Sequence, residues 1–432
     1  MPIPATLLDT TLANGLRVII LPDHNTPVFT FQVWYKVGSR NEGPGLTGVS
    51  HLCEHMMFKG TATVGKGEYS RTIQRHGGNF NAFTTPDLTA YFEHMAIDKL
   101  ELAIQMEADR MGGAIFDPEE FLSERTVVNE ERKLRTDDQP FGTLFEAMAA
   151  TAFWAHPYRH PVVGWATDIS AVTREEAYGY YKRHYCPNNA IAVLVGAVDP
   201  QEALVLIKQY FDGIPVGEGA VPLRTVEPPQ RGERRVTVYK EQVELPIVLC
   251  AYHVPTWTHP DAFPLMVAER VLSDGESSRL HHQLVHEAQM ALFAGGFYDA
   301  DSLDPRWFLF YAKAAPGHEA EELEAALLGE VDKLRTDLIP DREFQKAKNQ
   351  MIADEVYGRE SVAQQAREIA QTALTADLSL YFDYLDRLKA VTPEDCRRVA
   401  NTYLLSRNCT IATLLDKTLD PSVEPALAEV AA

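Results

Sequence analysis

The sequence has little of what several common classes of protein require. Its 432 residues include only five cysteines, an odd number that is widely scattered and contains no CxxC pair. This pattern disfavours a disulfide framework and a cysteine metal site, and it favours free thiols in a reducing compartment. No apolar run approaches the roughly 20 residues that cross a bilayer, so we expect no membrane span.

Positively charged residues are also fewer than negatively charged ones. The chain has 40 Lys and Arg against 61 Asp and Glu, which gives a net charge of -21 at pH 7 with neutral histidines. This balance argues against a nucleic-acid partner and favours cationic ligands, although an acidic surface that only maintains solubility explains it equally well. The opening residues, MPIPATLLDTTLANGLRVIILPD, contain no basic segment followed by an apolar run. We therefore expect no signal peptide and a cytoplasmic location.

The chain contains a long internal repeat. Its length exceeds that of one ordinary core, so two domains of about 200 residues are expected. One and the same offset in residue number separates three pairs in similar local sequences: Pro27 and Pro246, Val172 and Val391, and Asn189 and Asn408. A shared offset of this kind indicates a duplicated unit. We predict an α+β domain at 1–214, a linker rich in proline, glycine and charge at 215–234, and a homologous α+β domain at 235–432.

One short stretch, HLCEHMMF at 51–58, has the spacing of a metal site. In a helix, His51 and His55 present their imidazoles from one face, and Glu54 shares that face. Two neutral imidazoles and a carboxylate suit tetrahedral zinc with a fourth position for water. Glu54 is too close along the helix to bind the same ion comfortably, but it can reach that water. The repeat offset places no metal ligands at the matching positions, RVLSD, so only the first half is predicted to carry a site.

The third protein ligand must come from another segment. In FLSERTVVNEERKLR, Glu124 and Glu131 lie seven residues apart and share one face of a predicted helix, whereas Glu130 lies about 100° away. Glu131 as a ligand, with Glu124 accepting a histidine N–H, would complete a site of two histidines and one glutamate. The alternative is that both carboxylates only face solvent, and the residues alone leave this open.

Five segments together resemble a known family: HLCEHMMFKGT, GGNFNAFTTPDLTAYF, ERTVVNEE, HPYRHPVVGWATDISAVTREE and YCPNNAIAVLVG. They are similar to the inverted-zincin (HxxEH) peptidases, which include pitrilysin, insulin-degrading enzyme and mitochondrial processing peptidase. The resemblance covers nearly the whole first half and, more weakly, the second. It implies two homologous domains, each a mainly antiparallel sheet packed against helices.

For the site, the resemblance implies one zinc ion per chain bound by His51, His55 and Glu131, with Glu124 supporting a ligand. It implies a zinc metalloendopeptidase that hydrolyses oligopeptides or unfolded segments with a zinc-activated water and Glu54 as general base. GGNFNAFTT reads as a glycine turn followed by a strand. The resemblance implies an edge strand that pairs with extended substrate through Asn81, Ala82, Phe83 and Thr84. An alternating strand with two aromatic residues is also common in ordinary cores.

The second half departs from the family pattern. Self-sufficient relatives place an arginine and a tyrosine seven residues apart after a motif like SSRL, and this pair grips the substrate. Here the expected positions hold Val285 and Leu292, although Arg279 and Tyr298 lie nearby. The chain therefore looks most like the zinc-bearing subunit of a bacterial two-subunit member. We expect a homologous partner to supply the arginine and tyrosine, which makes the active form a heterodimer.

Two other functions remain open. A non-catalytic core subunit of a larger complex resembles the same family, but such subunits generally have damaged metal motifs. A processing peptidase dedicated to one precursor is the other alternative. Two further histidine pairs are read as non-metal pairs: His282 and His286 lack the inner glutamate, and prolines follow both His156 and His160. Cys53 is expected to be buried and not a nucleophile.

Overall fold

Two β-sheets organise the computed structural model, which describes residues 3–422. The first sheet has six strands in the order β1-β2-β6-β3-β5-β4: β1 Leu8–Thr11, β2 Arg17–Pro22, β3 Val28–Tyr35, β4 Asn79–Thr84, β5 Thr89–Ala96 and β6 Ala190–Gly196. The second has five strands in the order β7-β11-β8-β10-β9: β7 Arg234–Lys240, β8 Ile247–Val254, β9 Ala291–Tyr298, β10 Arg306–Ala314 and β11 Cys409–Asp416.

Helices occupy most of the intervening chain. In the first half they are α1 Val49–Met56, α2 Glu68–Arg75, α3 Leu100–Gly113, α4 Pro118–Arg132, α5 Pro140–Ala152, α6 Ala166–Ala171, α7 Arg174–His184 and α8 Pro200–Phe211. In the second half they are α9 Ala262–Ser273, α10 Ala320–Thr336, α11 Asp341–Gly358, α12 Val362–Thr375, α13 Ser379–Ala390 and α14 Pro393–Tyr403. None of the helices within residues 3–422 is both long enough and apolar enough to span a membrane.

The two halves share one fold, which confirms the predicted duplication. Apart from β1, the strand orders correspond one to one, and each sheet is antiparallel except for a single parallel pair, β2 with β6 and β7 with β11. The repeat offset recurs in the structure, because the start of β3 at Val28 and the start of β8 at Ile247 are separated by the same interval as Pro27 and Pro246. Helices α7 and α14 both begin at a threonine capping box, Thr173 and Thr392. The protein is thus a duplicated α+β fold.

Each sheet is covered on its second face by a helix from the other half. Helix α12 lies against β3 and β6 of the first sheet, where Ile369 and Ala370 join the buried cluster of Trp34 and Val193. Helix α5 lies against β7 and β11 of the second sheet in the same way. The sequence did not predict this exchange, because the apolar face of a helix does not specify which surface covers it.

The segment between Phe211 and Arg234 contains no helix or strand. The linker at 215–234 stays a prediction. The domain limits 1–214 and 235–432 stay a prediction. Their outermost residues, 1–2 and 423–432, lie outside the described residues.

Candidate metal centre

The first helix of the centre, α1, carries both predicted histidines on one face. The rings of His51 and His55 lie 4.8 Å apart between centroids. Their Nε2 atoms both face Oε2 of Glu131 on α4, at 3.8 Å from His51 and 3.5 Å from His55. Three donor atoms from two helices that are distant in sequence therefore converge on one point.

The chemistry of these donors fits a divalent metal ion. One donor atom from each residue lies within 4.8 Å of the other two, and no other group of three such residues within 3–422 meets this condition. Bond lengths of about 2.0–2.1 Å in a tetrahedral zinc site place donors roughly 3.3 Å apart, close to the distances seen here. Burial, with contributions from His55 and Arg135, lowers the pKa of His51 to about 3. The imidazole of His51 is therefore neutral at pH 7, as a ligand must be.

The position of α1 is set at its N-terminus by Glu42. The buried carboxyl group of Glu42 accepts hydrogen bonds from the backbone N–H groups of Gly48 and Ser50, both at 2.8 Å. Gly48 has φ of +89°, and a Cβ there would collide with the carbonyl of Val163. Burial raises the pKa of the Glu42 carboxyl to about 8, so this group is largely protonated near neutral pH. Glu42 therefore stabilises the start of the histidine helix as a hydrogen-bond acceptor for two backbone N–H groups.

A second carboxylate orients one of the histidines. Nδ1 of His55 lies 3.1 Å from Oε2 of Glu124, which leaves Nε2 free to face the metal position. The other oxygen of Glu124 forms an ion pair with Lys59 at 2.6 Å. Burial raises the pKa of Glu124, but the hydrogen bonds from His55 and Lys59 outweigh burial and lower it. Glu124 is thus an ionised acceptor held from two sides.

The glutamates of α4 lie on different faces of the helix, as the helical spacing predicts. Asp117 caps α4 by accepting from the N–H groups of Glu119 and Glu120 at 2.9 and 3.1 Å. Glu130 is 58 % exposed and pairs with Lys133, away from the histidines. The second oxygen of Glu131 forms an ion pair at 2.8 Å with Arg135, which is 77 % exposed.

Glu54 lies beside the convergent donors and lines the same cleft. Burial raises the pKa of its carboxyl, although a hydrogen bond donated by the Thr84 hydroxyl to Oε2 of Glu54 opposes this shift. A carboxylate with a raised pKa is a better proton acceptor near neutral pH than an exposed one. Glu54 therefore brings a carboxyl group with a raised pKa to the cleft beside the three donors.

Strand β4 forms one edge of the first sheet and borders the cleft. It pairs only with β5, so its other side carries backbone groups that no strand within 3–422 takes up. The four residues predicted to contact substrate, Asn81 to Thr84, all line the cleft. The N–H of Ala82 donates to Oδ1 of its neighbour Asn81 at 2.9 Å. An extended chain could add to this edge as a further strand.

The cleft itself has a volume of about 900 Å³ and extends to the second half. Phe141 and Phe145 of α5, together with Phe297 of β9, form an apolar wall facing the metal position. Arg135 and Arg306 also line the cleft, and Arg306 is held by Asp299 at 2.6 Å. A polypeptide segment could lie between β4 and this wall.

The positions at which an arginine and a tyrosine were expected hold Val285 and Leu292. Val285 is half-buried, and Leu292 is 51 % exposed on β9. The nearby Arg279 forms a bidentate ion pair with Glu343, with both distances 2.8 Å, and the hydroxyl of Tyr298 donates to the carbonyl of Pro255. Neither side chain is among the described residues that line the cleft.

The other histidines discussed above and Cys53 lie outside the donor cluster, although His160 lines the cleft. His282 and His286 are exposed, and His156 is buried beside Asp304 at 3.2 Å. Cys53 is fully buried, and burial raises the pKa of its thiol, so it is a poor nucleophile. At the repeat positions of the ligands, Arg270 pairs with Asp274 in the second half. Within residues 3–422, the second half therefore holds no equivalent of the donor cluster.

Three residues of the centre were missed by sequence reasoning. Arg135 follows Glu131 by four residues in a predicted helix, and this spacing was a usable signal for an ion pair. Lys59 and Glu42 offered no such signal, because the partner of Lys59 lies on a different helix and the partners of Glu42 are backbone groups.

Comparisons with known proteins agree with this architecture. The family profile described as Insulinase (Peptidase family M16) matches residues 17–164, and the profile described as Peptidase M16 inactive domain matches residues 171–351. The zinc protease PqqE of Helicobacter pylori is 34 % identical over 407 residues, which cover 94 % of this chain and 91 % of that protein. A probable mitochondrial-processing peptidase subunit beta of Arabidopsis thaliana is 26 % identical, and the matched region covers 94 % of this chain and 77 % of that protein.

Solved structures show the same fold. A protease from Helicobacter pylori superposes with a TM-score of 0.92 at 34 % identity, covering 94 % of this chain and 99 % of that one. A peptidase M16 inactive domain from Pseudomonas fluorescens gives a TM-score of 0.85 at 17 % identity, covering 94 % and 97 %, which supports the fold alone.

Proposed function

This chain belongs to the M16 peptidase family, and from that premise we propose that it is a zinc metalloendopeptidase acting on oligopeptides or unfolded segments. The observation that carries the proposal is the convergence of His51, His55 and Glu131, since one zinc ion per chain would take these three donors. When bound, zinc supplies a Lewis acid that lowers the pKa of water and polarises a carbonyl.

The chain's own residues provide the other requirements of peptide hydrolysis. The free edge of β4 would hold an extended substrate by backbone hydrogen bonds, which select for unfolded chains without a fixed sequence. Glu54 would take a proton from the attacking water and return it to the amine that leaves. Glu124 would keep the Nδ1–H of His55 occupied, so that only Nε2 is offered to the metal.

Removing the metal tests the proposal directly. We expect dialysis against a chelator to abolish cleavage of a quenched fluorescent peptide, and one equivalent of zinc per chain to restore it, because the donors form one complete site. Metal analysis of the same samples gives the stoichiometry. Undiminished cleavage by the metal-free protein would refute a zinc mechanism. Magnesium, which avoids imidazole-rich sites, is the control addition and is expected to restore nothing.

The contact between Lys59 and Glu124 leads to a second prediction. Replacing Lys59 by Met should lower zinc affinity about 10-fold, because Glu124 loses the partner that holds it against His55. Affinity is measured by competition with a chromophoric chelator. Lys66→Met is a matched control, since exposed Lys66 pairs with Glu120, which lies on the same helix as Glu124. Equal affinities in the two variants would contradict the role of Lys59.

We also propose that full activity needs a homologous subunit that supplies an arginine and a tyrosine. The apolar residues at 285 and 292 support this, as does the engagement of Arg279 and Tyr298 elsewhere. The purified chain is expected to cleave peptides poorly alone and at least 10-fold faster with the partner. Full activity of the isolated chain would refute the requirement.

The two alternative functions carry less support. A non-catalytic core subunit does not require an intact donor cluster. The metal-removal experiment described above distinguishes this function from that of a zinc peptidase. Dedicated processing of one precursor would appear as a narrow cleavage pattern on a peptide library. A cytoplasmic location remains a prediction; all five cysteines are buried and free, as suits a reducing compartment.

A further inference from the structure

The carboxylate of Glu54 has a single hydrogen-bond donor within the described chain. That donor is the hydroxyl of Thr84, which contacts Oε2. Glu54 forms no ion pair within residues 3–422, although it is largely buried. A glutamate side chain with one contact at its tip depends on that contact for its orientation, because its terminal torsion is otherwise broad.

Thr84 is well suited to hold another side chain in place. It is the last residue of β4, where its backbone pairs with Thr89 of β5. A β-branched residue in a strand has restricted χ1, so the hydroxyl is delivered from a fixed position. Along β4, Ala82 and Thr84 share the face that packs towards α1, whereas Phe83 packs on Trp34 at the other face.

We propose that Thr84 is a positioning residue for Glu54, and not only a substrate contact as the sequence predicted. The hydroxyl retains its proton and occupies Oε2, so that Oε1 is the oxygen presented to the attacking water. This inference rests on the proposed peptidase function and deepens it. It also links two parts of the machinery, since the strand that pairs with substrate is the strand that orients the base.

The experiment compares two substitutions at Thr84 in the full chain, with its partner if activity requires one. Thr84→Val keeps the shape and loses the hydroxyl, and it should lower kcat about 10- to 100-fold with KM within twofold of wild type. Thr84→Ser keeps the hydroxyl and should return kcat to within about threefold. Zinc content should be unchanged in both variants.

Thr89→Val is the matched control. Thr89 lies opposite Thr84 in the sheet and is equally a strand threonine, but its buried hydroxyl donates to the carbonyl of Val37 at 2.9 Å. This variant should unfold at a lower urea concentration, because it loses one buried hydrogen bond, yet retain wild-type kcat. A loss of kcat in Thr89→Val equal to that in Thr84→Val would show that strand damage, and not orientation, is responsible.

Two kinetic results for Thr84→Val overturn the proposal. One is wild-type kcat in Thr84→Val; the other is a raised KM with unchanged kcat, which would make Thr84 a substrate contact alone. A crystal structure of zinc-loaded Thr84→Val gives a readout without activity, and the Glu54 carboxylate should there adopt a different or multiple orientation. An unchanged carboxylate would reject the positioning role even if the protein cleaves no peptide, so this failure is distinct from failure of the proposed function.

Discussion

Glu54→Gln is expected to abolish peptide hydrolysis while zinc remains bound. The amide keeps the shape of the side chain but cannot accept a proton from water, and general-base catalysis of this kind contributes about 100- to 10,000-fold. The proposed metal donors are His51, His55 and Glu131, and the substitution leaves all three intact. The measurement is peptidase rate beside zinc content on one preparation.

Glu130→Gln is the matched control for this experiment. It makes the same chemical change one residue before a proposed ligand. Glu130, however, is exposed, and its only ion pair within residues 3–422 is with Lys133. Its rate should equal that of wild type. An active Glu54→Gln enzyme would remove Glu54 from the mechanism, and loss of zinc from this variant would instead place Glu54 among the ligands.

Arg110→Met is expected to destabilise the first half severely. The Arg110 side chain is 2 % exposed and pairs with Glu107 and Glu93, which are fully buried. Burial and the neighbouring Glu107 raise the pKa of Glu93 well above its usual value, and Arg110 supplies the positive charge beside this pair of carboxyl groups. Removing the guanidinium leaves a buried carboxylate without a counter-charge, which costs about 3–5 kcal/mol. The midpoint of urea unfolding measures the loss.

Two comparisons identify the cause of that loss. Arg183→Met removes an exposed ion pair with Glu218 and should cost less than about 1 kcal/mol. Adding Glu107→Gln to Arg110→Met should recover part of the stability, because the unpaired charge is removed with its partner. A double variant no more stable than Arg110→Met would show that lost packing over Tyr69 and Tyr91, and not charge, explains the effect.

Local patterns were sufficient to predict the elements that carry the site. Helical periodicity placed His51 and His55 on one face of α1, and it separated Glu131 from Glu130 on α4. Alternation and the preceding glycines predicted β4, and the constant offset between the repeats predicted the fold of the second half and its lack of ligands. These rules concern the pattern along the chain, so they hold before any element has a packing partner.

Three features of the fold depend on packing between segments that are distant in the chain. They are the contact of α4 with α1, the hydrogen bond of Thr84 with Glu54, and the packing of α5 and α12 on the sheet of the other half. Apolar burial is non-directional: a sequence marks the face of a helix that must be covered without naming the surface that covers it. Hydrogen bonds such as those of Glu42 and Lys59 need atoms about 3 Å apart, a distance that spacing along the chain does not define. The sequence by itself therefore determines which residues can form the centre and which face of each element they occupy. Only the tertiary structure decides that they converge on one point.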